Sequence, residues 1–319
     1  MNAPPHVVNR LQADASGDRA ALIAGLRATP ASIPPKYFYD PAGCELFAAI
    51  CELPEYYPTR TERAIFAAHR DDIARVIGTG TTLVDLGAGD CRKAALWFDA
   101  LQPSRYVAVD FAAAEITSAL SQLAPLHPSI AMSGIVADFT QGLDLDTDLG
   151  AGAVTFFYPG SSIGNFSHAA ALAFLASLAA HCNRCPGSGL LIGVDMKKDP
   201  RRLVAAYDDA QGITAAFNRN LLNPVNRIAD ADFAPARFLH RATYDADAGR
   251  VQMHLESACA QVVTIDGAAR PFAAGERIHT EDSYKYTADE FAAMLRRAGF
   301  TEVLRWLDPA RDFCVYYAR

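Results

Sequence analysis

The sequence predicts an α/β fold, with a doubly wound, Rossmann-like sheet domain and a second, smaller α+β domain. Three observations support this class. Short apolar runs alternate with helix-like stretches between about residues 61 and 195, which is typical of a parallel sheet with helices on both faces. After residue 199 the pattern changes to a long helical stretch followed by β-like segments. The chain has 319 residues, 51% of them hydrophobic, so it can bury a large core.

Five buried strands are expected in the first domain, because each run is apolar and rich in residues that favour strands. They cover residues 82–86, 106–110, 130–137, 153–158 and 190–194. Helices are expected between them, over residues 92–101, 112–126 and 168–182. Right-handed crossovers place the carboxyl ends of such strands along one edge, where α/β sheets bind their ligands.

The second domain is predicted to start with a helix over residues 201–218, where apolar side chains recur at helical spacing. Two β-like segments, 238–244 and 250–260, flank a turn-forming sequence at 245–249 and indicate a hairpin. Residues 277–286 are expected to join the same sheet.

The end of the chain returns to the first domain. Thr287 and Glu290 form a capping box that opens a helix, and Gly299 marks its stop. Two further strands are predicted over residues 302–306 and 313–317. We expect them to extend the edge of the first sheet.

Composition and charge exclude several classes of partner. The formal net charge is −7, so the chain offers no basic surface of the size that nucleic-acid binding requires. Residues 1–25 lack the basic and apolar segments of a signal peptide. The most apolar stretch, residues 169–180, is shorter than the roughly 20 residues that span a bilayer. We therefore expect a cytoplasmic monomer that binds neither nucleic acid nor a membrane.

The seven cysteines are odd in number and scattered, which argues against a disulfide framework and predicts reduced thiols. Cys182 and Cys185 form one Cys-x-x-Cys, but a zinc site would need a second pair at matching spacing. We therefore expect a structural role for this pair and no bound metal.

The cofactor signal lies at the first strand-to-helix turn, residues 84–90, where Gly87 and Gly89 follow a strand. A dinucleotide fingerprint would need a third glycine at position 92, where Arg92 stands, so NAD is not favoured. A nucleoside cofactor needs only close backbone approach at the two glycines and a carboxylate about 20 residues later for the ribose hydroxyls. Asp110, at the end of the second strand, meets this requirement.

The third strand ends in Asp138 and Phe139. The carboxylate could accept a hydrogen bond from an adenine amino group, and the ring could cover the base. Together with the glycine turn, these residues suggest S-adenosylmethionine. Lys93 has two interpretations: it lines the cofactor pocket near the methionine carboxylate, or it is a solvated residue of the first helix.

Polar and aromatic residues are concentrated in short segments outside the strand ends. They are residues 36–40, 53–62 and 160–166. Four further segments, residues 207–209, 216–220, 272–276 and 280–285, belong with them. In these segments the chain resembles the S-adenosylmethionine-dependent histidine Nα-methyltransferases of ergothioneine biosynthesis. The resemblance spans nearly the whole chain with few shifts of register.

The resemblance implies a class I methyltransferase domain formed by residues 61–195 and 287–319, and a substrate-binding domain formed by residues 1–60 and 196–286. It implies that S-adenosylmethionine donates three methyl groups to the α-amino nitrogen of L-histidine, which yields hercynine, the histidine betaine. Such a transfer is an in-line displacement, so positioning of the amine is expected to contribute most of the rate.

The resemblance also implies the candidate substrate residues. By motif position, the α-amino and α-carboxylate groups are held by Tyr56, Asn165 and Tyr207, with Tyr39 and Gly160 close by. Tyr39, Tyr56 and Asn165 are the candidate catalytic residues. No general base is assigned, because an unperturbed tyrosine is a weak base at neutral pH.

The imidazole ring is implied to bind Glu281 and Ser283, with Met253 packed against it. This spacing has an independent physical basis, because residues two apart on a strand project to the same face. A carboxylate and a hydroxyl can together pair with both imidazole nitrogens.

Alternative interpretations remain at this stage. The three candidate tyrosines could be core aromatics, Glu281 could be a charge on an edge strand, and Asn165 could cap the helix near Ser167. Alternative functions are an Nα-methyltransferase of tyrosine or tryptophan, a non-catalytic small-molecule binding protein, and a nicotinamide oxidoreductase. Glu281 argues against an indole or phenol, which would leave its carboxylate short of donors.

Overall fold

The computed structural model describes residues 5–10, 15–139, 149 and 152–319. These residues divide into two compact units. The first unit holds the described parts of Met1–Leu11, Pro58–Lys197 and Lys285–Arg319, and the second holds the described parts of Gln12–Tyr57 and Lys198–Tyr284. Each unit is therefore built from segments that are distant in sequence.

Strands and helices are distributed along the whole described chain. The strands are β1 (His6–Asn9), β2 (Ala31–Ser32), β3 (Thr82–Leu86), β4 (Arg105–Asp110), β5 (Ala131–Val136), β6 (Val154–Tyr158), β7 (Gly189–Asp195), β8 (Phe238–Asp245), β9 (Arg250–Ser257), β10 (Gln261–Ile265), β11 (Ala268–Phe272), β12 (Arg277–Tyr284), β13 (Val303–Leu307) and β14 (Phe313–Ala318). The α-helices are α1 (Ala15–Arg27), α2 (Pro41–Cys51), α3 (Tyr57–Ile77), α4 (Arg92–Ala95), α5 (Phe98–Leu101), α6 (Ala113–Leu123), α7 (His168–Arg184), α8 (Pro200–Ala205), α9 (Ile213–Asn220), α10 (Leu222–Ala229) and α11 (Ala288–Ala298).

Among the described residues of the first unit, eight strands form one sheet in the order β1-β5-β4-β3-β6-β7-β14-β13. Neighbouring strands from β1 to β7 pair in parallel, whereas β14 is antiparallel to β7 and β13 is antiparallel to β14. The strand order reverses between β3 and β6, which is the switch point at which doubly wound sheets bind ligands. The predicted α/β, Rossmann-like class is confirmed.

Every residue of the central strands β3, β6 and β7 is buried. This burial explains why the sequences of these strands are largely apolar. One predicted helix differs. Residues 92–101 form two short helices that flank Trp97. The Trp97 ring is buried and meets Phe66 edge-on, with 5.1 Å between ring centroids. This core contact is not encoded in local helical spacing.

The N-terminal strand corrects the expected assignment of residues 1–60 to the second domain. Strand β1 pairs in parallel with β5, and Val7 lies opposite Gly134. A Cβ at Gly134 would lie 3.2 Å from Val7 Cγ2, so the glycine permits this close packing. The residues of β1 are exposed or half-buried, and the sequence therefore shows little of the apolar pattern by which strands are recognised.

The second unit, as far as it is described, contains a four-stranded sheet in the order β2-β12-β9-β8. Strand β9 is antiparallel to both β8 and β12, as the predicted hairpin requires. A second hairpin, β10-β11, was not predicted. Its turn contains Asp266 and Gly267, both with positive φ (+50° and +71°), which suits a tight two-residue turn.

The helix predicted over residues 201–218 is wrong, because the chain breaks into α8 and α9. The Asp209 carboxylate accepts backbone N–H bonds from Ile213 at 3.0 Å and Thr214 at 2.7 Å, and so caps the start of α9. Gly212 precedes α9 with a φ of +74°. The break leaves Tyr207 outside both helices.

No helix in the described part of the chain is long and apolar enough to cross a membrane. The described ranges also contain no group of three or more His, Cys, Asp or Glu side chains that could hold a metal ion. Cys182 and Cys185 are free thiols. Burial, with a smaller contribution from Cys185, raises the pKa of Cys182 to about 12, so this thiol stays protonated and unreactive.

Candidate functional site

The predicted cofactor residues lie at the carboxyl ends of three neighbouring strands in the first unit. Gly87 follows β3, Asp110 ends β4, and Asp138 and Phe139 follow β5. Because β3, β4 and β5 are adjacent and parallel, their carboxyl ends meet at the same edge of the sheet. The fold therefore brings these four residues together.

The turn after β3 depends on two glycines. Gly87 and Gly89 have φ values of +75° and +50°, which residues other than glycine rarely adopt. The N–H groups of Gly87 and Ala88 donate to Val109 O at 2.8 and 3.1 Å, which ties the turn to β4. A Cβ at Gly87 would lie 3.8 Å from Phe139 Cζ, so the Phe139 ring is next to the turn. A Cβ at Gly89 would meet no atom within 4 Å, so there is open space beside the backbone of this turn.

Asp110 is a buried carboxylate with both oxygens held in place. Oδ2 accepts the Gly89 N–H at 2.9 Å and Oδ1 accepts the Ala112 N–H at 3.0 Å. Burial raises the pKa of Asp110, while these backbone bonds act in the opposite direction. A carboxylate offers about four lone-pair sites, so each oxygen retains an acceptor site. Two fixed acceptors fit the two neighbouring hydroxyls of a ribose.

Phe139 belongs to a group of aromatic rings with Tyr158 and Phe174. Its ring centroid lies 5.7 Å from that of Tyr158, edge-on, and 5.9 Å from that of Phe174. These neighbours fix the ring in one orientation. Asp138 precedes it and is half-buried. A fixed ring beside a partly exposed carboxylate fits an adenine base and its amino group.

Glu62, which was not among the predicted site residues, contacts two of them. Its carboxylate is buried, with Oε1 accepting the Gly160 N–H at 2.7 Å and Oε2 lying 3.0 Å from Lys93 Nζ. A side chain at Gly193 would overlap this carboxylate, so the glycine makes room for it. The Lys93 side chain is 40% exposed and ion-paired. Lys93 is therefore not an ordinary solvated residue of the first helix.

Replacing Glu62 by alanine is expected to lower the free energy of unfolding by about 1–3 kcal/mol, because Gly160 N–H and Lys93 lose their acceptor. Glu62→Gln should cost less, since an amide oxygen can still accept from Gly160. Urea unfolding measures both. Glu290 provides a matched control: it is exposed, pairs with Lys197 at 2.8 Å, and accepts a backbone N–H at 2.7 Å. Equal losses of unfolding free energy in Glu62→Ala and Glu290→Ala would show that burial of the Glu62 carboxylate does not strengthen its contacts.

The turn after β6 leads to Asn165. Gly160 and Ser161 both have positive φ, +79° and +64°, and the turn opens a 3₁₀ helix, Ser162–Asn165. Asn165 is half-buried at its end. The interpretation of Asn165 as a helix cap is wrong, because Ser167 is the N-cap of α7 and its side chain accepts a backbone N–H of the first turn at 3.2 Å.

In the second unit, edge-on ring contacts connect the predicted tyrosines. Tyr39 meets Phe47 at 5.8 Å between ring centroids, Phe47 meets Tyr56 at 6.3 Å, and Tyr56 meets Tyr207 at 6.4 Å. All four rings are half-buried. They pack against the core of this unit without being enclosed by it. Each ring therefore retains surface that a ligand could contact.

Burial, and then the neighbouring Tyr207, raise the pKa of Tyr56 well above its usual value. Glu281 is among the groups that add to this increase, which indicates that its carboxylate lies close enough to act on the phenol. The Tyr56 hydroxyl thus stays protonated at neutral pH. It can donate a hydrogen bond but cannot serve as a base.

Tyr207 and Ser283 contact each other directly, with 2.8 Å between their hydroxyl oxygens. The backbone of Tyr207 is also held: its carbonyl lies 2.7 Å from His240 Nε2. Asn218 Nδ2 lies 2.9 Å from His240 Nδ1. Because an amide nitrogen only donates, Nδ1 accepts and Nε2 carries the proton. Burial lowers the pKa of His240, which favours this neutral form.

Asn218 and His240 thus hold the backbone of Tyr207 in place, and neither was predicted as a site residue. Asn218 is fully buried and His240 nearly so. The signal that could have identified Asn218 is its place in residues 216–220, one of the segments that carry the family resemblance. His240 falls in an ordinary strand pattern, so nothing local distinguishes it.

The register of β12 against β9 determines on which face of the sheet the predicted imidazole-binding residues lie. Glu281 lies opposite Met253 of β9, and Ser283 lies opposite Val251. Opposed residues of antiparallel strands project to the same face, so Glu281, Ser283 and Met253 share one face of the sheet. A β-bulge between His279 and Glu281 precedes this arrangement.

The predicted residues fall into two groups, one in each unit. The first unit contains Gly87, Lys93, Asp110, Asp138, Phe139, Gly160 and Asn165. The second unit contains Tyr39, Tyr56, Tyr207, Met253, Glu281 and Ser283. In the first unit, the contacts described above link Gly87 with Phe139 and, through Glu62, Lys93 with Gly160. In the second unit, they link Tyr39, Tyr56, Tyr207 and Ser283.

Comparison with known proteins gives a consistent result. Residues 18–319 match the family described as histidine-specific, S-adenosylmethionine-dependent methyltransferases. The chain is 40% identical over 315 residues to the histidine N-alpha-methyltransferase of Mycolicibacterium smegmatis, covering 96% of this chain and 97% of that protein. It is 30% identical over 286 residues to ergothioneine biosynthesis protein 1 of Neurospora crassa, covering 87% of this chain and 32% of that protein.

A more distant relative acts on a different amino acid. The chain is 24% identical over 321 residues to the 4-dimethylallyltryptophan N-methyltransferase of Claviceps purpurea, with 92% of each chain covered. The family match covers most of the chain, so the interpretations as a nicotinamide oxidoreductase or a non-catalytic binding protein are wrong. The chain belongs to the S-adenosylmethionine-dependent, histidine-specific methyltransferases.

Proposed function

We propose that this chain transfers methyl groups from S-adenosylmethionine to the α-amino nitrogen of L-histidine until that nitrogen is quaternary, forming hercynine for ergothioneine biosynthesis. Family membership supports the donor and the substrate. The observation that carries the proposal is the register between β12 and β9. It places Glu281 and Ser283 on one face of the sheet with Met253, and Ser283 contacts Tyr207 there.

In this proposal Glu281 and Ser283 recognise the imidazole. A neutral imidazole has one N–H donor and one acceptor nitrogen. Glu281 accepts from the N–H, so Ser283 must donate to the other nitrogen. The Ser283 oxygen then accepts from the Tyr207 hydroxyl, which lies 2.8 Å away. The direction of this hydrogen-bond chain makes the pair selective for imidazole.

The remaining residues hold the two reactants. S-adenosylmethionine supplies the electrophilic methyl group. Its ribose, adenine and methionine parts would be held by Gly87, Lys93, Asp110, Asp138 and Phe139. The α-amino and α-carboxylate groups of histidine would be held by Tyr39, Tyr56, Gly160, Asn165 and Tyr207.

The attacking amine must present a neutral lone pair, and holding it in line with the methyl carbon supplies most of the rate. The raised pKa of the Tyr56 phenol argues against a tyrosinate base at this position, so no general base is assigned, and the amine proton leaves to solvent or through a nearby hydroxyl. Successive methylations build a cation on the nitrogen. The half-buried rings of Tyr39, Phe47 and Tyr56 can stabilise that cation through cation–π contact.

Methylation of a tryptophan-like substrate is the second candidate, supported by the relative from Claviceps purpurea. Histidine is favoured over it on chemical grounds. An indole has a single N–H and no acceptor nitrogen. Ser283 would lose its partner on the ring, and the wide apolar surface of the indole would face the Glu281 carboxylate.

The experiment that tests the proposal is incubation of the purified chain with S-adenosylmethionine and each amino acid separately. Mass spectrometry is expected to show three methyl groups added to histidine, and NMR is expected to place all of them on the α-nitrogen. Methylation of another amino acid in preference, or of an imidazole nitrogen, would overturn the proposal.

A further inference from the structure

The β-bulge in β12 lies immediately before the predicted imidazole residues. The pairing with β9 passes from His279 to Glu281 and leaves Thr280 out of the register. Thr280 Oγ1 donates to Met253 O at 3.0 Å, and His279 Nε2 lies 3.1 Å from Asp282 Oδ1. The bulge is therefore spanned by one side-chain bond within β12 and by another to β9.

The bond between His279 and Asp282 depends on the bulge. In a regular strand, residues three apart project to opposite faces. Here His279 lies opposite His254 and Asp282 lies opposite Gln252, and these partners are two residues apart on β9. His279 and Asp282 therefore share the face of the sheet that Glu281 and Ser283 do not use.

Asp282 accepts hydrogen bonds from three side chains on this face. Oδ1 receives Gln252 Nε2 at 2.9 Å as well as His279 Nε2, and Oδ2 receives Arg250 Nη1 at 3.0 Å. Partial burial acts to raise the pKa of Asp282, but the bonds from His279 and Gln252 outweigh it and lower the pKa below its usual value. The carboxylate is thus ionised at neutral pH and anchors β12 to β9.

We propose that Asp282 is a positioning residue for the imidazole pocket: it holds the bulge in the one register that turns Glu281 and Ser283 toward Met253. The inference rests on the proposed role of Glu281 and Ser283. A shift of one residue moves every side chain of a strand to the other face. Loss of the Asp282 anchor lets β12 sample pairings in which Glu281 points away from the substrate.

Two substitutions at Asp282 remove its hydrogen bonds to different degrees. Asp282→Asn retains one oxygen but presents an amide nitrogen to Arg250, whereas Asp282→Ala removes every bond. The expected result is a rise in the KM for histidine of about three- to tenfold for the asparagine variant, and more for alanine, because bonds to charged groups are among the stronger ones. The kcat and the Kd for S-adenosylmethionine should be unchanged, since the change affects the binding of imidazole alone.

Glu256→Gln is the matched control. Glu256 lies on β9, on the same face of the sheet as Asp282 but away from the bulge. Its carboxylate accepts hydrogen bonds from Arg241 and Arg277, each at 2.9 Å. We expect this variant to leave the KM for histidine unchanged, although it also weakens two charged contacts. An equal rise in KM for Glu256→Gln and Asp282→Asn would reduce Asp282 to a general stabiliser of the sheet and overturn the inference.

A double variant separates positioning from general damage. If Asp282 acts through Glu281, Asp282→Asn should add little to the KM of a Glu281→Ala background, because the group it positions is gone. Multiplicative effects would overturn the inference and leave the proposed function standing. An unchanged histidine KM in Glu281→Ala alone would overturn the proposed imidazole site and the inference with it. Circular dichroism checks that each variant is folded.

Discussion

Replacing Glu281 by alanine is expected to raise the KM for histidine about ten- to a hundredfold, since each factor of ten corresponds to about 1.4 kcal/mol. The change removes the acceptor of one imidazole N–H, a charge-assisted bond worth about 1.5–3 kcal/mol. Ser283 remains but can satisfy only one nitrogen. Glu281→Gln should cost less, because the amide keeps an acceptor of similar size. Initial rates at saturating S-adenosylmethionine measure both variants.

The same substitution should reduce discrimination against tryptophan. Glu281 lies opposite Met253, so the truncation opens space beside an apolar side chain. An indole then no longer has to strip water from the Glu281 carboxylate. The measurement is the ratio of kcat/KM for histidine and tryptophan in both proteins, with donor affinity determined separately. An unchanged ratio would show that the imidazole is recognised elsewhere.

Asp110→Ala is expected to weaken the binding of S-adenosylmethionine by about 1–3 kcal/mol, or about five- to 150-fold in Kd. Two ribose hydroxyls would lose their acceptors. The Gly89 N–H, which donates to Asp110 at 2.9 Å, would lose its partner as well. The turn after β3 would then be less well ordered before the donor binds. Isothermal titration calorimetry measures the change directly.

Asp308→Ala controls for the loss of a carboxylate that accepts backbone bonds. Asp308 lies in the first unit and accepts the N–H groups of Ala310, Asp312 and Phe313 at 2.9, 2.7 and 2.8 Å. Its removal should lower stability while leaving the Kd for S-adenosylmethionine unchanged. If Asp110→Ala also left the Kd unchanged, Asp110 would be rejected as the ribose ligand.

Signals that act over a few residues were predictable from the sequence. The capping box of α11 is present as expected, with the Thr287 side chain and Glu290 each accepting the backbone N–H of the other. Gly299 ends the helix with a φ of +111°. The glycine turn at Gly87 and the carboxylate at Asp110 follow the same logic, because spacing along two adjacent strands carries them to one edge.

The substrate residues were a different case. A half-buried tyrosine or a strand glutamate has no local signature, so Tyr39, Tyr56, Tyr207 and Glu281 were found through the resemblance of whole segments. Without it, packing was the more common fate of such aromatics. Even the resemblance did not identify the role of Glu62, because its partner Gly160 is 98 residues away and meets it only in the folded chain.

The sequence by itself determined the α/β class, the parallel strands of the first domain, the cofactor turn and the family. The tertiary structure alone decided that the helix predicted over residues 201–218 breaks beside Tyr207, that β1 joins β5, and that a bulge places Glu281 and Ser283 on the same face as Met253. The reason is physical. Local propensities differ by less than about 1 kcal/mol per residue. Buried charges, side-chain caps and cross-strand bonds between distant segments outweigh such differences, and they exist only once the chain has folded.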